Sequence, residues 1–461
     1  MLTVRAPSAP PAASAVVALL LLAAVGGAVY AFSPLSAMFA VAMWLLLANT
    51  IRGIHGVERR WIVGILATGL GLRALALIAI YVTTDPSHEQ IRTLFGDSHF
   101  SIQRSLVTVN AWRGVPIGPW YEHQIFAPYG TFAYDRSLAV LQWFIGPSPY
   151  GVTLISVAAF FGGTVLLHRL VRTSFGPLTA LAGMTVLVLW PTLVLWSISM
   201  LKESVLLLLT ATAISAAVSA MRPMRLRRRV ALVAVVIAAT ALIAPLREGS
   251  VVSLLGAIAI GHVVLAGSRY SAAAVAFVIV LAVGGAAAVR TPAVQARVEA
   301  AVVDALARHV GELHLGGKSY RSADDRFYLE RYGTVDARLS PSFEEGARFL
   351  VRSGVLFVTA PWPSELVSPG ELAFLPEQLA WYVLLAFACA GAWVGLRRDP
   401  LLTGTCIGYC LVVVAISAPN SGNIGTMVRH RDMIVPFAAS LGSLGAIGVL
   451  GAVSRRNHAA P

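Results

Sequence analysis

The stretch WPTLVLWSISMLKESVLLLLT, residues 190–210, carries Lys202 and Glu203 inside an otherwise apolar tract. A charge at the centre of a bilayer is costly, so the pair either lies at a membrane surface or does chemistry. Choosing between these requires the topology of the whole chain.

Around this tract the composition is 57% hydrophobic and 12% charged, with a mean hydropathy of +0.75. Soluble domains carry roughly 25% charged residues. Several continuous runs reach the roughly 18–20 apolar residues that span a bilayer. The expected fold is therefore all-α: a polytopic helical membrane protein, with 1–461 as a single transmembrane domain. A β-barrel would show alternation instead of continuous runs. The net charge is +13 and the pI 10.2. In a membrane protein this follows from arginine-rich cytoplasmic loops, so no nucleic-acid partner is expected. Lys202 and Lys318 are the only lysines. Cys389, Cys406 and Cys410 all fall in expected spans, and read as small packing residues rather than a disulfide framework.

Twelve spans are expected, at 13–32, 34–50, 61–82, 148–168, 178–198, 203–221, 230–246, 249–266, 271–289, 378–396, 401–418 and 434–453. The first reads as an uncleaved helix, because it lacks a clean small-residue cleavage site. If every span crosses once, the arginines of the short loops share one side: Arg52, Arg59 and Arg60, then Arg169 and Arg172, the run MRPMRLRRR, and Arg397 and Arg398. That side is the cytoplasm by the positive-inside rule, with both termini inside. Arginine in place of lysine suggests a bacterial genome, hence a multi-pass protein of the bacterial cytoplasmic (inner) membrane. Only Glu58 and Asp399 among the acids fall in the cytoplasmic loops. The outer face then holds two long segments, 83–147 and 290–377, and Lys202 and Glu203 lie in a short outer turn.

These outer segments are too long for simple connectors. Residues 294–313 have helical periodicity with one polar face. In 340–358, Ser340 and Pro341 precede Glu344 and Glu345, which reads as a helix start. Its later half is apolar and is expected to lie on the outer membrane surface, giving this loop an interfacial helix.

The first outer loop, a candidate catalytic loop, carries Asp97, His99, Trp120, Tyr121, Glu122, His123, Tyr134 and Asp135. Aromatic rings stack on the apolar faces of a sugar, and carboxylates bind its hydroxyls. The same tryptophans and tyrosines also read as an ordinary interfacial belt. Asp97, in a Gly-Asp-Ser turn soon after a membrane exit, is placed to take a proton from an attacking hydroxyl. Asp97 and His99 read alternatively as divalent-metal ligands, but the pair has no clear further ligand and no metal set is assigned. Arg247 and Glu248 repeat the basic–acidic pattern of Lys202 and Glu203 at the next outer turn. Arg73, in the middle of GLGLRALAL, is either functional or paired with a neighbouring helix. The last outer turn, SAPNSGNIGTMVRHRDMIVPF, packs Arg429, His430 and Arg431 before the final span, which suits a lipid phosphate. There is no Walker sequence, no G-x-G-x-x-G after a strand, no HExxH and no G-x-S-x-G.

Taken together, these residues resemble the GT-C membrane glycosyltransferases, in particular bacterial relatives of the protein mannosyltransferases and lipid-A sugar transferases. The likeness runs from about Gly96 to Glu203 and resumes from about Pro361 to Pro436, through APWPSEL, LPEQLAWY and the Arg-x-Arg run. It implies transfer from a polyprenyl-phosphate sugar at the outer face, with Asp97 as base and basic residues on the donor phosphate. Lys202, Arg429, Arg431 and Arg73 are the candidates for that phosphate. Glu203, Arg247, Glu248 and His99 would orient them. Trp120, Tyr121, Glu122, His123, Tyr134 and Asp135 would meet the sugar or a glycan, lipid or protein acceptor. Two alternatives stand beside this: a polysaccharide polymerase or O-antigen ligase using a lipid-diphosphate oligosaccharide, and a lipid-linked-sugar flippase. Product analysis separates the first, and transport without glycosidic bond formation the second.

Overall fold

The computed structural model describes residues 33–83, 96–126, 132–146, 149–247, 249–270, 287, 290–313, 318–328, 341–366 and 368–459. The expected span 13–32, nearly all of 271–289, and Glu248 lie outside them.

The described residues are helical. In chain order the helices are α1 (Pro34–Ile51), α2 (Gly56–Thr83), α3 (Gly96–Trp112), α4 (Pro119–Phe126), α5 (Phe132–Ile145), α6 (Pro149–Phe175), α7 (Pro177–Leu189) and α8 (Pro191–Ser197). Then come α9 (Glu203–Ala220), α10 (Leu226–Ile243), α11 (Ser250–Arg269), α12 (Pro292–Glu312), α13 (Phe343–Thr359), α14 (Pro369–Arg398), α15 (Pro400–Ser417), α16 (Ile424–Arg431) and α17 (Val435–Ala459). The extended chain contributes an isolated antiparallel bridge between Ser319 and Asn423.

Eight of these helices are long and apolar enough to cross a membrane, or nine if α7 and α8 form one span. Of the twelve expected spans, nine coincide with these helices, the α7–α8 pair counted as one. Two of the others lie outside the described residues. A third, 230–246, is occupied by α10, whose first turn holds Arg227, Arg228 and Arg229. With three arginines among its 18 residues α10 is more charged than the apolar stretches of those eight, although it runs from the Arg222 end of the bundle to Arg247 beside Glu203. The expected span 178–198 is covered by two helices, α7 and α8, which meet at 64°. Pro191 has no N–H to offer the preceding turn, and that ends α7. Helix α14 already begins at Pro369, nine residues before the expected span 378–396. In the second outer loop the cap of α13 is Ser342 rather than Ser340. Its hydroxyl accepts from the Glu345 N–H, and the Glu345 carboxylate accepts from the Ser342 N–H.

Small residues let the spans approach closely, as membrane helix interfaces require. Gly404 and Gly408 of α15 lie against Gly261 and Ala257 of α11. A Cβ on Gly261 would stand 2.1 Å from the Thr405 hydroxyl. Gly391 and Gly445 do the same for α14 and α17, where an added Cβ would meet the Leu441 carbonyl at 1.8 Å and the Phe387 carbonyl at 2.0 Å.

Two groups of paired charges mark the two ends of this bundle. At one end Arg172 bonds both oxygens of Glu58 (2.6 and 3.0 Å), Arg169 bonds Asn49 at 2.7 Å, and Arg222 meets Asp399 at 3.2 Å. At the other, α9 begins with Glu203. Helix α9 is 18 residues long, so its two ends lie about 27 Å apart.

Candidate functional site

Four separate stretches of chain meet at the Glu203 end. Helix α3 is docked there by Ser98, whose hydroxyl accepts from the Met200 N–H at 2.8 Å. This sets Asp97, in the first turn of α3, beside the turn that leads into α9. On the far side, Asn423 caps α16 through its side chain and the Thr426 N–H at 2.9 Å. Helix α16 in turn presents Arg429. Its guanidinium bonds Glu203 through Nε at 2.5 Å and Asp97 through Nη1. Arg247 completes the chain of ion pairs, 3.8 Å from the same Glu203 oxygen.

The two carboxylates on Arg429 differ in kind. The Asp97 side chain is 64% exposed and that of Glu203 is 8% exposed. Burial alone would lower the Arg429 pKa, but the charges of Glu203 and then Asp97 outweigh it and hold the guanidinium firmly protonated. Arg247, more deeply desolvated, is pulled downward despite Glu203. Lys202, buried at the N-terminus of α9, is lowered to about 8. Burial is the main cause, Glu203 and Asp135 oppose it, and Arg247 and Arg429 add to it. Burial and the same two arginines push His430 well below the usual imidazole range; its Nδ1 lies 2.8 Å from the Ser421 hydroxyl.

Helix α5 adds two residues from the first outer loop. Tyr134 donates to the Leu201 carbonyl at 3.2 Å, and Asp135 pairs with Arg104 at 3.5 Å. Both are buried beside Lys202. Helix α4 stays further out. Trp120 is 58% exposed and packs edge-on against Tyr121 with centroids 4.9 Å apart, while Glu122 and His123 are exposed. Tyr121 accepts from Gln103, six residues along α3 from Asp97, which is about 9 Å of rise. His99 is half-buried on α3. Among the described residues no group of three or more His, Cys, Asp or Glu is placed to hold a metal ion.

Beneath Glu203 lies a small, largely apolar cavity. Phe160, Leu206, Leu207 and Phe437 line it, with Glu203, Ser204, Thr210 and Asp432 among its polar groups. The Asp432 carboxylate accepts from the Trp196 indole N–H. Burial, and then the charge of Glu377, raise its pKa well above the ordinary range.

Two of the arginines named as phosphate ligands are engaged elsewhere. Arg431 lies two residues from Arg429, about 200° around the helix, and faces α13 and α14. There it bonds the Phe357 carbonyl at 3.2 Å, Gln378 at 2.8 Å and the Ala360 carbonyl, and stacks over Trp381 at 5.2 Å. Arg73 is 0% exposed and serves the break between α7 and α8. In an unbroken helix the Val188 carbonyl would accept from the Thr192 N–H. Here Val188 accepts from Arg73 Nη1 at 3.0 Å, and the Thr192 N–H donates to Glu377 at 2.9 Å. Arg73 Nε also donates to Ser197 at 2.7 Å, and Phe160 and Phe161 stack on its guanidinium at 4.3 and 5.0 Å. A cation at the C-terminus of α7 and an anion at the N-terminus of α8 match the two helix dipoles. The break is therefore held by two charged side chains from other spans, as lipid-depth backbone requires.

Reading the sequence missed Glu377 and Glu312. The signal for Glu377 was a carboxylate beside Pro376 at the start of an apolar run. Glu312 ends α12 and accepts from the Gly422 N–H at 2.8 Å, tying the second outer loop to the turn that carries α16. Burial raises its pKa. The Ser319–Asn423 bridge adds bonds from Tyr320 N to Gly422 O and from Ile424 N to Lys318 O, both 2.9 Å. Compared with known proteins, the chain matches no family model, no curated protein and no solved structure.

Proposed function

We propose that the protein is an inverting membrane glycosyltransferase that takes its sugar from a polyprenyl-phosphate donor at the outer face of a bacterial cytoplasmic membrane. In this reading the Glu58–Arg172 end of the bundle and both termini face the cytoplasm. The resemblance to GT-C enzymes around Asp97, Lys202–Glu203 and the Arg-x-Arg run supports it. The observation that carries it is Arg429, bridging an exposed and a buried carboxylate at the membrane boundary, above an apolar cavity.

The donor's prenyl chain stays in the surrounding lipid, and its phosphate reaches Arg429 and Lys202 at the membrane boundary. The phosphate displaces Asp97 from Arg429, while buried Glu203 keeps the guanidinium oriented. Asp97, freed and water-facing, accepts the proton of the acceptor hydroxyl. The acceptor oxygen attacks the anomeric carbon from the face opposite the phosphate. The carbon–oxygen bond to phosphate breaks, and the leaving phosphate keeps the electron pair. Arg429 and Lys202 stabilise the charge that develops on it. Tyr134 and Asp135 flank the site, and Trp120 and Tyr121 offer a stacking surface for the acceptor further out.

Radiolabelled polyprenyl-phosphate sugar and wild-type membranes test this directly. Asp97→Asn is expected to abolish transfer while the protein still inserts and retains donor. Wild-type turnover by that variant removes Asp97 from the chemistry. Block-wise rather than single-sugar products would move the assignment to a polymerase or ligase.

A further inference from the structure

The hairpin of α1 and α2 carries a second concave surface, at the Glu58–Arg172 end and remote from the charged network. Met43, Trp44 and Leu47 face Val63, Leu66 and Leu70 across it, and α6 closes its back. The groove encloses about 650 Å³, its open side included, and no charged side chain lines it. Val63, Leu66 and Leu70 follow the spacing of one helical stripe. Continued backward, that stripe reaches Arg60 and Arg59, three and four residues before Val63, or about 5–6 Å along the axis. On α1, Arg52 follows Leu47 by about 7.5 Å of rise. Gly53 and Gly56, at φ 74° and 65°, turn the chain between α1 and α2, so Arg52, Arg59 and Arg60 all belong to the tip of this hairpin.

These arginines are exposed. The carboxylate nearest them in sequence, Glu58, is engaged on both oxygens by Arg172. Among the described residues no other carboxylate pairs with Arg52, Arg59 or Arg60. A groove at membrane depth with an apolar lining takes a hydrocarbon chain. Three uncompensated guanidiniums at the hairpin tip take an anion and repel an ammonium headgroup. From Arg60 to Leu70 is about 15 Å of rise, half of a ~30 Å hydrocarbon core. We infer that this hairpin binds one anionic glycerophospholipid, with an acyl chain in the groove and its phosphate on Arg52, Arg59 and Arg60. The site is independent of the proposed sugar transfer.

The full chain is reconstituted in nanodiscs of equal phosphatidylglycerol and phosphatidylcholine, released into detergent, and weighed by native mass spectrometry. Wild type is expected to retain one phosphatidylglycerol in preference to phosphatidylcholine. Replacing the arginines together (Arg52→Gln, Arg59→Gln, Arg60→Gln) should lower that retention at least about tenfold. Ala67→Trp fills the groove from an exposed position and should lose the lipid with all three arginines intact. Equal retention of both lipids by wild type overturns the inference. So does a triple variant that holds phosphatidylglycerol as before, or an Ala67→Trp protein that keeps its lipid and changes only in oligomeric state.

Discussion

Glu203 lies 2.5 Å from Nε of Arg429, and the pair forms the buried half of a clamp whose other half, Asp97, is open to water. The two halves should separate in experiment. Arg429→Gln leaves buried Glu203 with the longer 3.8 Å Arg247 contact, which costs about 3 kcal/mol. Asp97→Asn removes a largely exposed partner and costs less than about 1 kcal/mol. Thermal unfolding in detergent should therefore show a large drop for the first and a small one for the second. Equal drops would mean that Asp97 is a structural strut.

Lys202 makes the site sensitive to alkaline pH. It titrates near 8 in the folded protein, against an ordinary value of 10.5. Between these values the unfolded chain binds the extra proton. The Lys202 contribution to stability therefore rises from about pH 8 to about 10.5 and is constant below 8. Donor binding runs the opposite way, because the ammonium that meets phosphate is lost above pH 8. The donor KM should climb through that range in wild type and stay level in Lys202→Arg, whose guanidinium does not titrate there. A KM that climbs equally in both proteins assigns the transition to another group.

The broken span makes a different demand. Arg73→Leu leaves the Val188 carbonyl unpaired at membrane depth, and Glu377→Leu does the same to the Thr192 N–H. Each should cost about 1–3 kcal/mol in unfolding experiments. Because Arg73 bonds the Val188 and Gly69 carbonyls and Ser197, the donor KM of Arg73→Leu should stay within about twofold of wild type. A tenfold rise in KM without loss of stability would return Arg73 to the donor site.

Orientation is open to labelling in intact cells, in a background lacking the three native cysteines. A membrane-impermeant maleimide should react with Asp97→Cys from outside, and with Arg227→Cys only after permeabilisation. The reverse pattern would turn the bundle over and place the clamp in the cytoplasm.

Hydropathy and arginine spacing determined, without any tertiary knowledge, that this chain is a helical membrane protein with charge collected at the ends of its spans. Transfer of about 20 apolar residues into lipid is a local property, additive along the chain, so a sequence window reads it. Lys202, Glu203 and Arg429 were visible for the same reason, as polar groups where apolar sequence stops. Only the folded structure decided which partners those groups meet. Arg429 and Arg431 look alike in sequence, yet half a helical turn sends one to Glu203 and the other to the α13–α14 junction. Arg73 could be read as a ligand until the break at Pro191 supplied carbonyls for it to serve. Glu377 acquires its role from Thr192, 185 residues away. Such pairings arise from long-range packing of helix faces, and no local free energy along the sequence encodes them.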